Sequence, residues 1–129
     1  MYEEEKMSLC YEMEKLVKSR EGAYNVGALI VDYNGIILSY GYSRKYGENE
    51  HAEEIALREL KYNGDCILYT SMETCSRRTS GKKSCVERIK EDGRIRKVFF
   101  GRYEPKDIVP DCCGYESLRE FVDIKCVRS

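Results

Sequence analysis

The chain owns one histidine, His51, and it opens the stretch "HAEEIALREL" with two glutamates close behind it. On a helix begun there, residues three, four and seven apart share a face. From Glu53 that face holds Ala56, Leu57 and Leu60, all apolar; from Glu54 it holds Leu57, Arg58 and Lys61, which predicts a solvent-facing Glu54. Glu53 is therefore the carboxylate aimed at the core, where it needs a partner or a purpose. Downstream, Cys75 closes a strand and Cys85 begins a helix. Ser84-Cys85-Val86-Glu87 has the spacing of a capping box, which makes Ser84 the N-cap and sets the Cys85 thiol at the positive end of a helix dipole. His51 opens its own helix, with Asn49 or Glu50 as the expected caps. One imidazole and two thiolates make three ligands, the number a catalytic zinc site uses while keeping a fourth position for water. The plainer readings are a histidine at a helix start and two ordinary buried thiols.

The elements that must position these groups follow from periodicity and punctuation. Met7, Cys10, Tyr11, Met13, Leu16 and Val17 recur at helical spacing within 3–20. "NVGALIVDYNGIILSYGYS" reads as two strands joined at Tyr33-Asn34-Gly35. A helix over 51–62 is stopped by Asn63-Gly64 and followed by a strand over 66–71. Then come a helix over 85–92 ended by Gly93, a strand over 97–101, a short helix near 115–121 and a last strand "DIKCV". The order α-β-β-α-β-α-β-α-β predicts an α/β fold with a five-stranded sheet, mixed because the hairpin is antiparallel. No repeat or linker divides residues 1–129, so one domain is expected.

Composition narrows the function classes. With 22 basic against 23 acidic residues the net charge is -1, which disfavours a protein that coats nucleic acid. No stretch approaches the ~20 apolar residues of a membrane span, and "MYEEEKMSLC" lacks the apolar run of a signal peptide. Seven cysteines, at 10, 66, 75, 85, 112, 113 and 126, fit reduced thiols and metal ligands better than a disulfide framework, so a cytoplasmic location is expected. Cys112-Cys113 reads as a pair of loop thiols more readily than as a second metal site. Tyr24, Tyr33, Tyr40, Tyr42 and Tyr46 could stack a base, although strand packing accounts for them equally well.

"ILSYGYSRKYGENEHAEEIALREL", taken with "YTSMETCSRRTSGKKSCVERI", resembles the cytidine deaminase-like superfamily of zinc enzymes. Within it the likeness is greatest to the fungal-type riboflavin-pathway deaminases. "GYSR" precedes the His-Ala-Glu motif, Asn49 stands two positions ahead of His51, and nine residues separate the two cysteines. The likeness covers about residues 24–105 and, more loosely, the tail through "GYESLREF". It implies a three-layer α/β/α fold, one Zn2+ per chain on His51, Cys75 and Cys85, and Glu53 as a proton shuttle that is not a ligand. It implies hydrolytic deamination of 2,5-diamino-6-ribitylamino-4(3H)-pyrimidinone 5'-phosphate, with a (deoxy)cytidylate-type deaminase or a catalytically weak zinc-bound scaffold as the alternatives. A homodimer or homotetramer is implied as well.

The superfamily usually carries Pro before each cysteine, where this chain has Thr74 and Ser84. Ser84 is accounted for as a cap; Thr74 forgoes the stiffness a proline would give. The insert "SRRTSGKKS" carries Arg77, Arg78, Lys82 and Lys83 and no acid, which suits either a grip on a substrate phosphate or plain solvated charge. Asn25, ahead of Gly27, and Asn49 are the remaining candidate substrate contacts by the same resemblance.

Overall fold

A computed structural model describes residues 2–17, 24–47, 49–75, 83–103 and 114–127. Its elements are α1 (Tyr2–Glu14), β1 (Gly27–Val31), β2 (Ile37–Tyr42), α2 (Ala52–Glu59), β3 (Cys66–Met72), α3 (Cys85–Asp92), β4 (Ile95–Arg102), α4 (Gly114–Leu118) and β5 (Asp123–Cys126). The strand order is β2-β1-β3-β4-β5. β1 runs antiparallel to both β2 and β3, whereas β3-β4 and β4-β5 are parallel. The expected mixed sheet and the expected order of elements are both present.

Strand alternation divides the core between two faces. Leu29, Val31, Tyr69 and Phe99 point to one side and bury Met7 and Cys10 of α1. Ala28, Ile30, Leu68, Val98 and Phe100 point to the other and pack on α2, α3 and Leu118 of α4. The result is a three-layer α/β/α sandwich. Glu3, Glu4 and Glu5 suit the positive end of α1. That helix ends at Glu14, earlier than its apolar spacing predicts, and Leu16 is left 64% exposed.

The hairpin forms at Tyr33-Asn34-Gly35. Asp32 Oδ1 accepts from the backbone N–H groups of Asn34 and Ile36, and Gly35 takes the positive φ of 85° that closes such loops.

α2 is shorter than the predicted 51–62. It stops at Glu59, and Leu60 is already extended, with φ -76° and ψ 120°. The cause is distant in sequence. Arg94 donates to the carbonyls of Leu57, Leu60 and Tyr62 at 3.5, 2.9 and 3.0 Å, satisfying the helix end before Asn63-Gly64 is reached. At the other end of α2, a Cβ on Gly41 would lie 2.4 Å from the Ala52 carbonyl oxygen. The missing side chain lets the first turn of α2 rest directly on β2, which sets the height of His51 above the sheet.

Candidate metal centre

His51 is the N-cap of α2, with φ -94° and ψ 152°, and neither Asn49 nor Glu50 takes that position. The loop leading to it is closed by the Arg44 N–H donating to the Glu50 carbonyl at 2.9 Å. Cys75 follows β3 after Glu73 and Thr74, and the Glu73 N–H continues the sheet by donating to Arg102 O at 2.7 Å. Cys85 is the first residue of α3. Ser84 caps that helix as its spacing predicts: its hydroxyl accepts from Glu87 N–H at 3.2 Å, and the Glu87 carboxylate reaches back to Ser84 N–H at 3.4 Å. Gly93, at φ 78°, ends it.

These three element ends converge. Cys75 Sγ lies 3.5 Å and Cys85 Sγ 3.6 Å from His51 Nδ1, and the three donor atoms all lie within 4.8 Å of one another. Ligands about 2.0–2.3 Å from a tetrahedral zinc are themselves separated by roughly 3.5–3.8 Å. The spacing of the two sulfur–nitrogen pairs fits that ion, and so does the donor set of two thiols and an imidazole. Cys75 Sγ also accepts from the Cys85 backbone N–H at 3.2 Å, and its carbonyl accepts from Val86 N–H at 3.0 Å, so the first turn of α3 grips Cys75. The Cys75 thiol is drawn well below the ordinary thiol range, first by its hydrogen bond with the Cys85 side chain and next by His51, against the opposing effect of burial.

Both glutamates behind His51 are buried. Glu53 is 4% exposed, as its helical face predicts. Glu54 is only 7% exposed, which corrects the solvent-facing expectation. Its Oε1 accepts from the His51 backbone N–H at 2.9 Å, and its Oε2 lies 3.4 Å from Arg88 Nη2 of α3. That partner comes from a neighbouring helix. Arg58 is bound to Glu50 at 2.7 Å. The spacing of His51 and Glu54, three apart like the two ends of a capping box, was the available signal; nothing local pointed to Arg88.

Asn25 Oδ1 accepts from Arg44 Nη2 at 2.6 Å, while its backbone carbonyl accepts from Arg102 Nη2 at 3.1 Å. Asn49 is exposed, two residues before His51. Lys83 pairs with Glu91 at 2.5 Å and lines a cleft between α2 and α3 with Glu54, Arg58 and Arg88. Arg77, Arg78, Lys82, Cys112 and Cys113 lie outside the described residues. Tyr40, Tyr42 and Tyr46 surround the Lys45 ammonium, with ring centroids at 4.2, 5.7 and 4.9 Å. Among the described residues, Cys10, Cys66, Cys75, Cys85 and Cys126 form no disulfide.

Glu73 was not foreseen. It is buried, and its Oε2 accepts from the Tyr115 N–H at 2.8 Å, pinning the start of α4 beside Cys75. Thr74, where the superfamily usually has proline, is fully buried, and its Oγ1 has no hydrogen-bond partner among the described residues.

A layered α/β/α sheet that presents a histidine and two cysteines from two helix starts and a strand end defines a class, and residues 1–102 match the model of the cytidine and deoxycytidylate deaminase zinc-binding region. The chain belongs to that family. It is 39% identical over 123 residues to the Schizosaccharomyces pombe diaminohydroxyphosphoribosylamino-pyrimidine deaminase, a match that covers 91% of this chain and 30% of that protein. The chain thus spans less than a third of the length of this curated relative. Among solved structures it is similar to the Aspergillus oryzae Rib2 deaminase in complex with DARIPP, with a TM-score of 0.84 and 24% identity over 100% of this chain and 85% of that one. It is similar also to the Thermotoga maritima diaminohydroxyphosphoribosylaminopyrimidine deaminase/5-amino-6-(5-phosphoribosylamino)uracil reductase, with a TM-score of 0.82 and 22% identity over 97% of this chain and 36% of that one. Among the described residues no helix is long and apolar enough to cross a membrane.

Proposed function

We propose that this chain is a zinc-dependent aminohydrolase that replaces an exocyclic amine of a phosphorylated aminopyrimidine by oxygen and releases ammonia. The favoured substrate is 2,5-diamino-6-ribitylamino-4(3H)-pyrimidinone 5'-phosphate. The observation that carries the reading is the convergence of His51 Nδ1 with the Cys75 and Cys85 sulfurs at 3.5 and 3.6 Å. The choice of substrate is supported by the 39% identity to the fission yeast deaminase.

His51, Cys75 and Cys85 would hold the zinc, leaving a fourth position open. When bound, zinc supplies the Lewis acidity that makes water nucleophilic near neutral pH. Glu53, buried in the first turn of α2, takes one proton of the attacking water and passes it to the ring nitrogen, then carries the second proton of that same oxygen to the departing amine as the carbonyl forms. The basic insert that carries Arg77, Arg78, Lys82 and Lys83 in the sequence, Arg78 first among them, would hold the phosphate.

The test is metal analysis followed by ammonia release from the ribitylaminopyrimidinone phosphate, its dephosphorylated form and deoxycytidylate. Stoichiometric zinc with turnover of the first substrate is expected; preference for deoxycytidylate, or zinc without turnover, would overturn the assignment. Glu53→Gln is expected to keep its zinc and lose at least about 100-fold in kcat. Arg78→Glu is expected to raise KM for the phosphorylated form far more than for the dephosphorylated one, and equal effects would remove Arg78 from phosphate binding.

A further inference from the structure

β3 and β4 run side by side as far as Met72 and Arg102, and the Glu73 N–H adds one more rung on Arg102 O at 2.7 Å. Beyond that rung, Thr74 and Cys75 are held by helices. α3 supplies one hold: Val86 N–H donates to Cys75 O at 3.0 Å, and Cys85 N–H donates to Cys75 Sγ at 3.2 Å. α4 supplies a second. The Glu73 carboxylate, 6% exposed, accepts from Tyr115 N–H at 2.8 Å. Beside it Gly114 rests on the Thr74 carbonyl so closely that a Cβ there would overlap its oxygen.

α4 is itself anchored. Leu118 is fully buried in the core, and the Tyr115 ring meets Phe100 and Tyr103 edge-on, with centroids 5.9 and 6.2 Å away. A helix of five residues has little stability of its own, so these contacts and Glu73 fix its place. Tyr115 N–H lies in the first turn, where no carbonyl of its own helix can accept from it. The Glu73 carboxylate meets that need, and so ties a segment 42 residues downstream to the stretch that carries Cys75.

We propose that Glu73 is a positioning residue for the metal centre. By clamping the start of α4 against Glu73-Thr74-Cys75, it aims the Cys75 sulfur at the point shared with His51 and Cys85. Its contribution is the buried acceptor that Tyr115 N–H requires. The inference rests on the metal-centre reading of His51, Cys75 and Cys85.

Glu73→Gln keeps an acceptor for Tyr115 N–H, and Glu73→Met fills similar space without one. Zinc affinity is measured by chelator competition, and the thiolate-to-metal charge-transfer band is recorded on the cobalt-substituted protein. Glu73→Gln is expected to match wild type in both. Glu73→Met is expected to bind zinc at least about tenfold more weakly, with a weakened band. Gly114→Ala is expected to behave like Glu73→Met, and the double variant to add little, because both act on one contact. Met7→Ala, in the core on the opposite face of the sheet, is the control: it lowers Tm and is expected to leave affinity and band unchanged. If Glu73→Met cannot be told from Glu73→Gln, the proposal is overturned. An equal loss of affinity in Met7→Ala overturns it too, since the effect would then be one of general stability. Should wild type bind neither metal, the metal-centre reading falls instead, and amide hydrogen exchange decides the role of Glu73. Protection of Cys85 and Val86 N–H is expected to drop at least about tenfold in Glu73→Met and to persist in Glu73→Gln. Equal protection in the two variants counts against the clamp.

Discussion

Arg88 of α3 reaches across to Glu54 of α2, Nη2 to Oε2, at 3.4 Å, and the other oxygen of that carboxylate holds the His51 backbone N–H at 2.9 Å. One carboxylate therefore connects the helix that begins with Cys85 to the residue that supplies the imidazole. With Glu54 7% exposed, the pair is shielded on one side and is less screened than a surface contact. Groups that orient ligands in this way commonly contribute about 10–100-fold to metal affinity. Glu54→Ala and Arg88→Ala are each expected to weaken zinc retention about tenfold in chelator competition. The double variant should cost little more than either alone, because the two side chains act through one contact. Affinities indistinguishable from wild type would show that His51 and Cys85 are held by packing alone.

Thr74 leads to a second prediction. Its hydroxyl is fully buried with no partner among the described residues, directly before Cys75. A buried hydroxyl without a hydrogen bond costs about 1–3 kcal/mol. Thr74→Val keeps the branched shape and removes that oxygen. Urea denaturation should show an increase in stability of about 1 kcal/mol with an unchanged m-value. A decrease would mean that Oγ1 bonds an ordered water.

The turn between α3 and β4 provides a pH-dependent test. Arg94 grips Asp92 with Nε on Oδ1 at 2.7 Å and Nη2 on Oδ2 at 2.8 Å. The Arg94 side chain, through these hydrogen bonds, holds the Asp92 carboxyl below its ordinary value of 3.8. Since the folded pKa is the lower one, the stabilisation is complete above the ordinary carboxylate range. It is lost as pH falls through the depressed folded value. Asp92→Asn is expected to destabilise the protein by about 1–2 kcal/mol at neutral pH. The two proteins should converge in stability as pH drops below the carboxylate range. The end of α2 should loosen too, since Arg94 also satisfies the carbonyls of Leu57, Leu60 and Tyr62.

What could be read without coordinates was whatever a few neighbouring residues decide among themselves. Ser84 and Glu87 announce a helix start because both partners of the cap lie within one turn. Asn34-Gly35 announces a hairpin because only the local backbone must accept it. The burial of Glu53 was legible from the apolar residues on its own helical face. The single histidine and the paired cysteines marked the candidate metal centre because soft and imidazole ligands at element ends have few other uses in that combination.

Tertiary structure decided which surfaces meet, and with them the partners of the polar groups. Glu54 looked solvated because Arg58 and Lys61 share its helical face, yet packing of α3 against α2 buries it on Arg88. α2 ends at Glu59 because Arg94, more than thirty residues away in sequence, takes its final carbonyls. Asn25 finds Arg44 and Arg102 only once β1 lies between β2 and β3 and β4 has joined the sheet. Hydrogen bonds and ion pairs act over a few ångströms of space. A sequence specifies them locally when the chain between the partners is one turn long, and otherwise only through the fold that brings distant residues together.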